Sequence, residues 1–357
     1  MAACSDSETI PLVLVTGASG YLANHIVQQL LEEKSYRLRG TVRNVSSTLS
    51  LREQFPSLHI VEADLNDDKG WQEAIEGCTY VIHVASPLPI HVPRDETEVI
   101  RPAVDGTRRV LQACMDVGSV RRVVVTSSMT AVSGMGEHGR TYTENDWPDA
   151  DTLKDPYSKS KTLAERAAWE FVDGKSVELV SIVPGLLLGP LLTAKPGASL
   201  EVVKRILENS IPGCPHIYLN TVDVRDAARA HVVALVSERA PGNRYIICGE
   251  SLWMKEVAQI VYDEFSSQGY RVPTRGMPKF FIWLASLFSS QLDAVLPRIG
   301  NEIQFSTQKM KEDLEISTRP VRESIIDSCY SLISKGFVEK KQGYRPRQHI
   351  ASSSQLD

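Results

Sequence analysis

Ile10-Pro11-Leu12-Val13-Leu14-Val15-Thr16-Gly17-Ala18-Ser19-Gly20-Tyr21-Leu22-Ala23 is the stretch that decides the fold. Its first half is a short apolar run rich in β-branched residues, which suits a strand buried on both faces. Two glycines follow, and residues 21–33 then carry Leu22, Ile26, Val27, Leu30 and Leu31 at helical spacing. A strand that turns through glycine into an amphipathic helix is the context of a dinucleotide-binding turn. Gly17 allows the tight turn, Gly20 lets a pyrophosphate approach the free N–H groups of the helix, and Ala23 permits close helix–strand packing. Thr16, Ser19, Tyr21 and Leu22 complete the segment expected to line such a ligand.

The alternation continues outward from this turn. Arg37–Val42 and His59–Ala63 read as the second and third strands, Trp71–Ile75 as a short helix and Tyr80–Ala85 as the fourth strand. Val99–Val117 reads as a helix stopped by Gly118, and Arg122–Thr126 as the fifth strand. A helix bearing Tyr157 and Lys161 runs to about Phe171, and Glu178–Val183 is the sixth strand. This rhythm predicts an α/β fold, a Rossmann-type doubly wound parallel sheet with right-handed crossovers.

Pro184-Gly185 breaks the pattern. Beyond it the spacing predicts helices over Ser199–Asn209, Met254–Ser266 and Arg322–Lys335 and a strand over Arg244–Cys248, without further βα alternation. Phe280–Phe288 reads as an amphipathic or buried helix, too short to span a bilayer. The expected organisation is a cofactor-binding domain over 10–185 and a smaller, partly interwoven substrate-binding region over 186–340. Flexible tails are expected at 1–9 and 341–357. Loops 87–97, 129–156 and 186–220 are expected to shape the substrate pocket.

Composition narrows the class. Hydrophobic residues at 42% and charged residues at 23% are ordinary for a soluble globular protein. A net charge of −5 gives no footprint for nucleic acid, and pairs such as Arg121-Arg122 and Lys340-Lys341 read as solvated surface. The six cysteines are scattered without a C-x-x-C pair, which argues against zinc or a disulfide framework. Cys78, Cys114 and Cys248 sit in apolar surroundings as buried thiols. The opening residues lack a basic region followed by an apolar core, so a secretory signal is not expected. A reducing, cytoplasmic location and a monomer or homodimer are the expectations. His83 reads as a core residue, and His91, His138 and His216 fall in loops. No H-x-x-x-H or H-E-x-x-H spacing and no G-x-S-x-G occurs, which argues against a metal site and a serine hydrolase.

The chemistry is written in Thr126-Ser127-Ser128 and Tyr157-Ser158-Lys159-Ser160-Lys161. Positions i and i+4 share a helix face, so Tyr157 and Lys161 are expected side by side. An ammonium beside a phenol favours the phenolate, and such a tyrosine can exchange a proton with a substrate oxygen. Tyr-x-x-x-Lys alone is also an ordinary helix surface pair. Its place behind a glycine turn and a serine-ended strand is what points to hydride transfer. Ser128 is favoured as the donor to the substrate oxygen, while Ser127 is equally suited to holding backbone or loop.

The second strand ends Gly40-Thr41-Val42-Arg43, with no acid until Glu53. An arginine there fits a 2′-phosphate and favours NADP(H), the alternative being a solvated loop residue. Asp64-Leu65 could accept from the adenine amino group. Val84-Ala85-Ser86 offers small residues where the cofactor passes the backbone, and Pro184-Gly185 would face the carboxamide.

These segments, from Val15–Ala23 through Val81–Pro87, Val125–Ser128, Tyr157–Glu165 and Val183–Gly185 to Val222–Asp226, resemble the extended short-chain dehydrogenase/reductase superfamily. Within it the chain resembles the dihydroflavonol reductase, cinnamoyl-CoA reductase and methylglyoxal reductase group from about residue 10 to 340. The resemblance implies NADP(H)-dependent reduction of an aldehyde or ketone, with Ser128, Tyr157 and Lys161 as the triad and Arg43 at the phosphate. Met129–Gly136 lacks the asparagine that dihydroflavonol reductases set against the flavonoid hydroxyls. Leu153-Lys154-Asp155-Pro156-Tyr157 stands where cinnamoyl-CoA reductases carry Lys-Asn-Trp-Tyr, so neither plant substrate is implied. A nucleotide-sugar epimerase or dehydratase, a 3β-hydroxysteroid-type dehydrogenase and a dinucleotide-sensing binding module are the competing readings. The aromatics Phe280, Phe281, Trp283 and Phe288 are placed either as a pocket roof or as core or a dimer face.

Overall fold

The structure is a computed structural model that describes residues 10–86, 95–193, 196–286 and 296–347. All five residues of strand β1 (Leu12–Thr16) are buried. Side chains alternate along a strand, so Val13 and Val15 enter one hydrophobic core and Leu12 and Leu14 another. A strand apolar on both faces needs a layer on each side. Helices α1 (Tyr21–Glu33) and, later in the chain, Val224–Val236 supply one layer, and Trp71–Ile75, Thr97–Val117 and Pro156–Val172 the other.

In chain order the elements between are β2 (Arg37–Val42), α2 (Leu49–Gln54), β3 (His59–Glu62), α3 (Trp71–Ile75), β4 (Tyr80–His83) and α4 (Thr97–Val117). Next come β5 (Arg122–Thr126), α5 (Thr130–Ser133), β6 (Thr141–Tyr142), α6 (Pro156–Val172), β7 (Glu178–Pro184) and β8 (Leu186–Leu188). The rest is α7 (Ala198–Leu207), β9 (Cys214–Pro215), β10 (Tyr218–Asp223), α8 (Val224–Val236), β11 (Arg244–Ile247), β12 (Ser251–Trp253), α9 (Met254–Phe265), α10 (Lys279–Ser286) and later helices Gln308–Asp313 and Val321–Ser334.

The main sheet has seven strands in the order β11-β7-β5-β4-β1-β2-β3, and every pairing is parallel. The order reverses at β1, with β2 on one side and β4 on the other. A crevice opens outside the carboxyl ends of the strands at such a switch point. The doubly wound parallel sheet read from sequence is the one observed.

Three expectations need correction. The βα alternation does not stop at Pro184: β10 leads into α8, and β11 returns beside β7 as an edge strand of the main sheet. Alanines at 227, 228, 230 and 234 obscure the apolar period of α8, although Asp223, whose side chain accepts from Arg225 N, marks its start. Arg122 is not solvated. It is 2% exposed, paired with Glu178 at 2.7 Å, and donates to Ala234 O and Ser237 O at 2.8 Å, where a cation suits the carboxyl end of α8. Residues 341–347 are not a free tail: Arg345 N donates to Gln268 Oε1, and the Tyr344 ring lies 6.1 Å from Tyr330. The expected tail 1–9, Cys4, Pro87, His91 and Phe288 lie outside the described residues.

A second, smaller sheet, β12-β10-β8, flanks the crevice. It rests on a separate core built from Leu200, Val203 and Ile206 of α7, Val257, Val261 and Phe265 of α9, and Ile325, Cys329 and Leu332. Cys78, Cys114, Cys214, Cys248 and Cys329 are free and buried, and desolvation raises each thiol.

The main sheet and α6 are joined by a buried ion pair. Arg244 of β11 donates to both oxygens of Glu165, Nε at 2.7 Å and Nη2 at 3.0 Å, with Glu165 3% exposed. Removing one partner strands a buried charge. Arg244→Ala is therefore expected to lower the unfolding free energy by about 3–5 kcal/mol, read as a drop in urea midpoint. A change below about 1 kcal/mol, the scale of an exposed pair, would refute this account.

Candidate active site

The chain leaves β1 through Gly17, which has φ +66° and whose missing Cβ would lie 3.1 Å from Ala85. Thr41 of β2 fixes the turn: its hydroxyl accepts from Gly17 N at 3.1 Å and its carbonyl from Ala18 N at 2.8 Å. Close passage of β2 requires Gly40, where a Cβ would meet Ala18 Cβ at 2.6 Å. Helix α1 begins after Gly20 with no side-chain cap and no acid in its first turn. Its first N–H groups therefore remain available to an anion.

These N–H groups border a cleft of about 1150 Å³. Ser19, Gly20, Tyr21, Leu22 and Arg43 line it at the turn end, together with Ser47 and Ser50. Ser128, Tyr157, Pro184 and Gly185 line its other end. A second cleft of about 1010 Å³, between α1 and α8, contains none of the expected catalytic residues. The remaining expected cofactor residues lie off the main cleft. The Thr16 hydroxyl hydrogen-bonds His83 at 2.9 Å and accepts from Ala85 N at 3.0 Å. Asp64 O accepts from Trp71 Nε1 at 2.9 Å, and Leu65 packs on Gly106. Val84 packs against the core, while Ala85, Ser86, Ser127 and Lys161 border a small cavity of about 20 Å³.

Asp155 and Pro156 set the start of α6. Asp155 caps it, accepting from Tyr157 N at 3.4 Å and Ser158 N at 3.1 Å, and proline occupies the first helical position. Tyr157 then faces the cleft, as does Ser128, whose hydroxyl favours the ionised phenol. Ser128 Oγ accepts from Thr130 N at 3.3 Å and Thr130 Oγ1 at 3.1 Å. Its own proton is thus left to donate. Ser127 turns away and donates to Glu165.

Lys161 is 8% exposed and its Nζ donates to Thr126 O at 3.4 Å. Burial lowers its pKa to about 8, and Glu165 opposes the shift. Burial raises the Tyr157 phenol above its ordinary value; Ser128 and the Arg298 charge pull it down and Asp155 pushes it up. The expected lowering of this phenol by Lys161 is not what the structure shows. The lysine reaches toward the end of β5 while the phenol opens into the cleft. At neutral pH this phenol is therefore protonated.

His83 and His231 are buried and neutral, with pKa values near 3 and 4 from desolvation. Tyr218 and Asn220 fall in the expected pocket segment 186–220, whereas sequence reasoning missed Arg298, Asn301, Ile303 and Phe305, which also line the cleft. These four come from segments beyond residue 295, with no local motif to flag them. Phe280, Phe281 and Trp283 do not line the cleft. They are 61%, 59% and 48% exposed on α10, with Ile282 turned inward, so they do not roof the pocket. Among the described residues there is no group of three or more potential metal ligands, and no helix is long and apolar enough to cross a membrane.

Comparison with known proteins identifies the family. Residues 14–271 match the model of the 3-beta hydroxysteroid dehydrogenase/isomerase family. Cinnamoyl-CoA reductase 2 of Arabidopsis thaliana is 35% identical, over 96% of this chain and 98% of the relative. Dihydroflavonol 4-reductase of the same plant is 29% identical, over 96% and 88%. The crystal structure of yeast methylglyoxal/isovaleraldehyde reductase Gre2 complexed with NADPH superposes with TM-score 0.75 and 27% identity, covering 92% of this chain and all of that one. The chain belongs to the 3-beta hydroxysteroid dehydrogenase/isomerase family, among the oxidoreductases of the extended short-chain dehydrogenase/reductase superfamily.

The Lys161 shift carries a stability consequence. Between about pH 8 and the ordinary lysine value of 10.5, the unfolded chain holds a proton that the folded chain has lost. Stability from this group therefore rises with pH through that window. Relative to Lys161→Met, the wild type should gain up to about 1.4 kcal/mol per pH unit there, measured by urea unfolding from pH 7 to 10. A difference independent of pH would show that the ammonium is not desolvated.

Proposed function

We propose that the protein reduces an aldehyde or ketone to the alcohol with NADPH. The observation that carries this reading is a single cleft holding the uncapped glycine turn and Arg43 at one end and Ser128 with Tyr157 at the other. The helix N-terminus after Gly20 suits a pyrophosphate, and Arg43 with Ser47 and Ser50 suits a 2′-phosphate. The reading is supported by reductase relatives and by a neighbour crystallised with NADPH.

Bound NADPH supplies the hydride that forms the new C–H bond at the carbonyl carbon. Ser128 donates its hydroxyl proton in a hydrogen bond to the carbonyl oxygen and holds it as negative charge develops. Tyr157 transfers its phenolic proton to that oxygen, completing the alcohol, and is reprotonated from solvent. A phenol kept protonated by burial is prepared for the reductive direction. Lys161 provides an ammonium at the end of β5 for the ribose hydroxyls of the cofactor. Leu186 and Leu187 of β8 and Tyr218 and Leu219 of β10 line the cleft beside Ser128 and Tyr157.

Tyr157→Phe should lose about 10²–10⁴-fold in turnover while binding NADPH as tightly as the wild type, followed by NADPH absorbance and fluorescence. Retained turnover would remove Tyr157 from the mechanism. Arg43→Gln should weaken NADPH binding on the order of tenfold and leave NADH nearly unaffected. Equal weakening of both cofactors would place the 2′-phosphate elsewhere.

A further inference from the structure

The cleft is lined by two guanidinium groups and, among the described residues, by no carboxylate. Arg43 stands at the glycine-turn end with Ser47 and Ser50, where the cofactor reading uses it. Arg298 stands at the catalytic end, close enough to Tyr157 for its charge to act on the phenol. Nothing in the reduction of a neutral carbonyl calls for that second cation.

We propose that Arg298 binds a carboxylate carried by the carbonyl substrate, so that the pocket selects aldehydes or ketones bearing an ionised acid over neutral analogues. This deepens the reductase reading and rests on it. The ion pair of Arg298 with Asp155 is long, at 3.7 Å, and the guanidinium is 45% exposed. Asp155 is already engaged as the cap of α6, accepting from two backbone N–H groups and from the Ser158 hydroxyl at 2.5 Å. The planar fork of Arg298 thus retains donors for a bidentate carboxylate.

Its backbone is held in place. Asn301 Nδ2 donates to Met135 O and Gly136 O, both at 3.0 Å, and Gly300 N donates to His216 O at 2.7 Å. Ile299 bridges to Ile217. Segments from the start of β10 and from the loop after α5 therefore fix this arginine against the wall opposite the glycine turn. Asp155, at 3.7 Å and occupied as a helix cap, neutralises this cation only in part, so the catalytic end of the cleft still attracts anionic ligands.

The test is steady-state NADPH oxidation with matched pairs, such as para-formylbenzoate and its methyl ester, and an aliphatic oxo-acid and its ester. The wild type should favour the acid by about tenfold or more in kcat/KM, the scale of a charge-assisted pair, mainly through KM. Arg298→Gln should bring the acid-to-ester ratio close to unity, and Arg298→Lys should retain part of it. The ratio cancels any effect of the substitution on Tyr157 that both substrates share. Equal kcat/KM for acid and ester in the wild type would overturn the proposal. So would an Arg298→Gln variant that slows both alike, because Arg298 would then serve only to clamp Asp155. Reduction of the esters without preference leaves the reductase reading standing and removes this role for Arg298. NADPH binding without oxidation by any pair overturns the reductase reading and the proposal together.

Discussion

Glu165 lies one helical turn beyond Lys161 and two beyond Tyr157, on the same face of α6, and its carboxylate is buried. An ionised carboxylate out of water requires a partner of matching geometry. Arg244 provides it with a two-pronged contact and spends its other donors on Ala131 O, Glu144 O and Asp146 O. The guanidinium also lies 3.6 Å above the Trp147 ring. One pair thereby joins α6, the edge strand β11 and the segment that follows Ser128. It sets the rotation of α6, and hence the direction in which Tyr157 points. Ser127 donates to the same carboxylate, which leaves Ser128 as the serine of that strand end that faces the cleft.

The two ends of the cleft are built differently. The turn end is local: β1, the glycines and α1 are contiguous, and Thr41 and Gly40 come from the next strand. Its backbone shape follows from the absence of side chains, since a Cβ at Gly40 would overlap Ala18. The catalytic end is assembled over long range. Gly185 passes so close to Asn220 that a Cβ there would lie 2.6 Å from the Asn220 carbonyl oxygen, and this packs β10 against the end of β7. Tyr218 and Asn220 reach the cleft from β10, and Arg298, Asn301 and Ile303 arrive from more than a hundred residues beyond Tyr157.

That difference explains what could be read in advance. The strands through Glu178, the helix starting near Tyr157 and the glycine turn all follow from short-range period and turn chemistry. Ser128 and Tyr157 meet at the cleft because the fold rule places strand ends at the crevice, while Lys161 turns to Thr126 O. β11 as a main-sheet strand was hidden because its four residues carry no sign of their partner, and α8 because alanine blurs the apolar stripe. Arg122 looked like surface because two adjacent arginines usually are. Glu178 and the carbonyls at the end of α8, all distant in sequence, give it a buried site. The exposed aromatics Phe280, Phe281 and Trp283 of α10 do not form core, and their exposure is compatible with the dimer face expected as the other placement. A cluster of Phe and Trp suggests burial, yet the helix turns Ile282 inward instead.

The least legible feature was the protonation of the phenol. Helical spacing places Tyr157 and Lys161 on one face, but i,i+4 proximity of Cβ atoms does not bring the ends of two long side chains together. The lysine finds Thr126 O, and its charge is felt by Glu165 and by His83, whose ring it helps keep neutral. Desolvation then dominates both groups, in directions set by their charge type: it favours the neutral phenol and weakens the ammonium. Burial keeps the proton on Tyr157, against the pull of the neighbouring cation Arg298. Two charges act on the phenol: Asp155, the cap of α6, raises it, and Arg298, paired with Asp155 at 3.7 Å, lowers it. The local motif thus supplies the phenol, while a residue far along the chain adjusts how firmly it holds its proton.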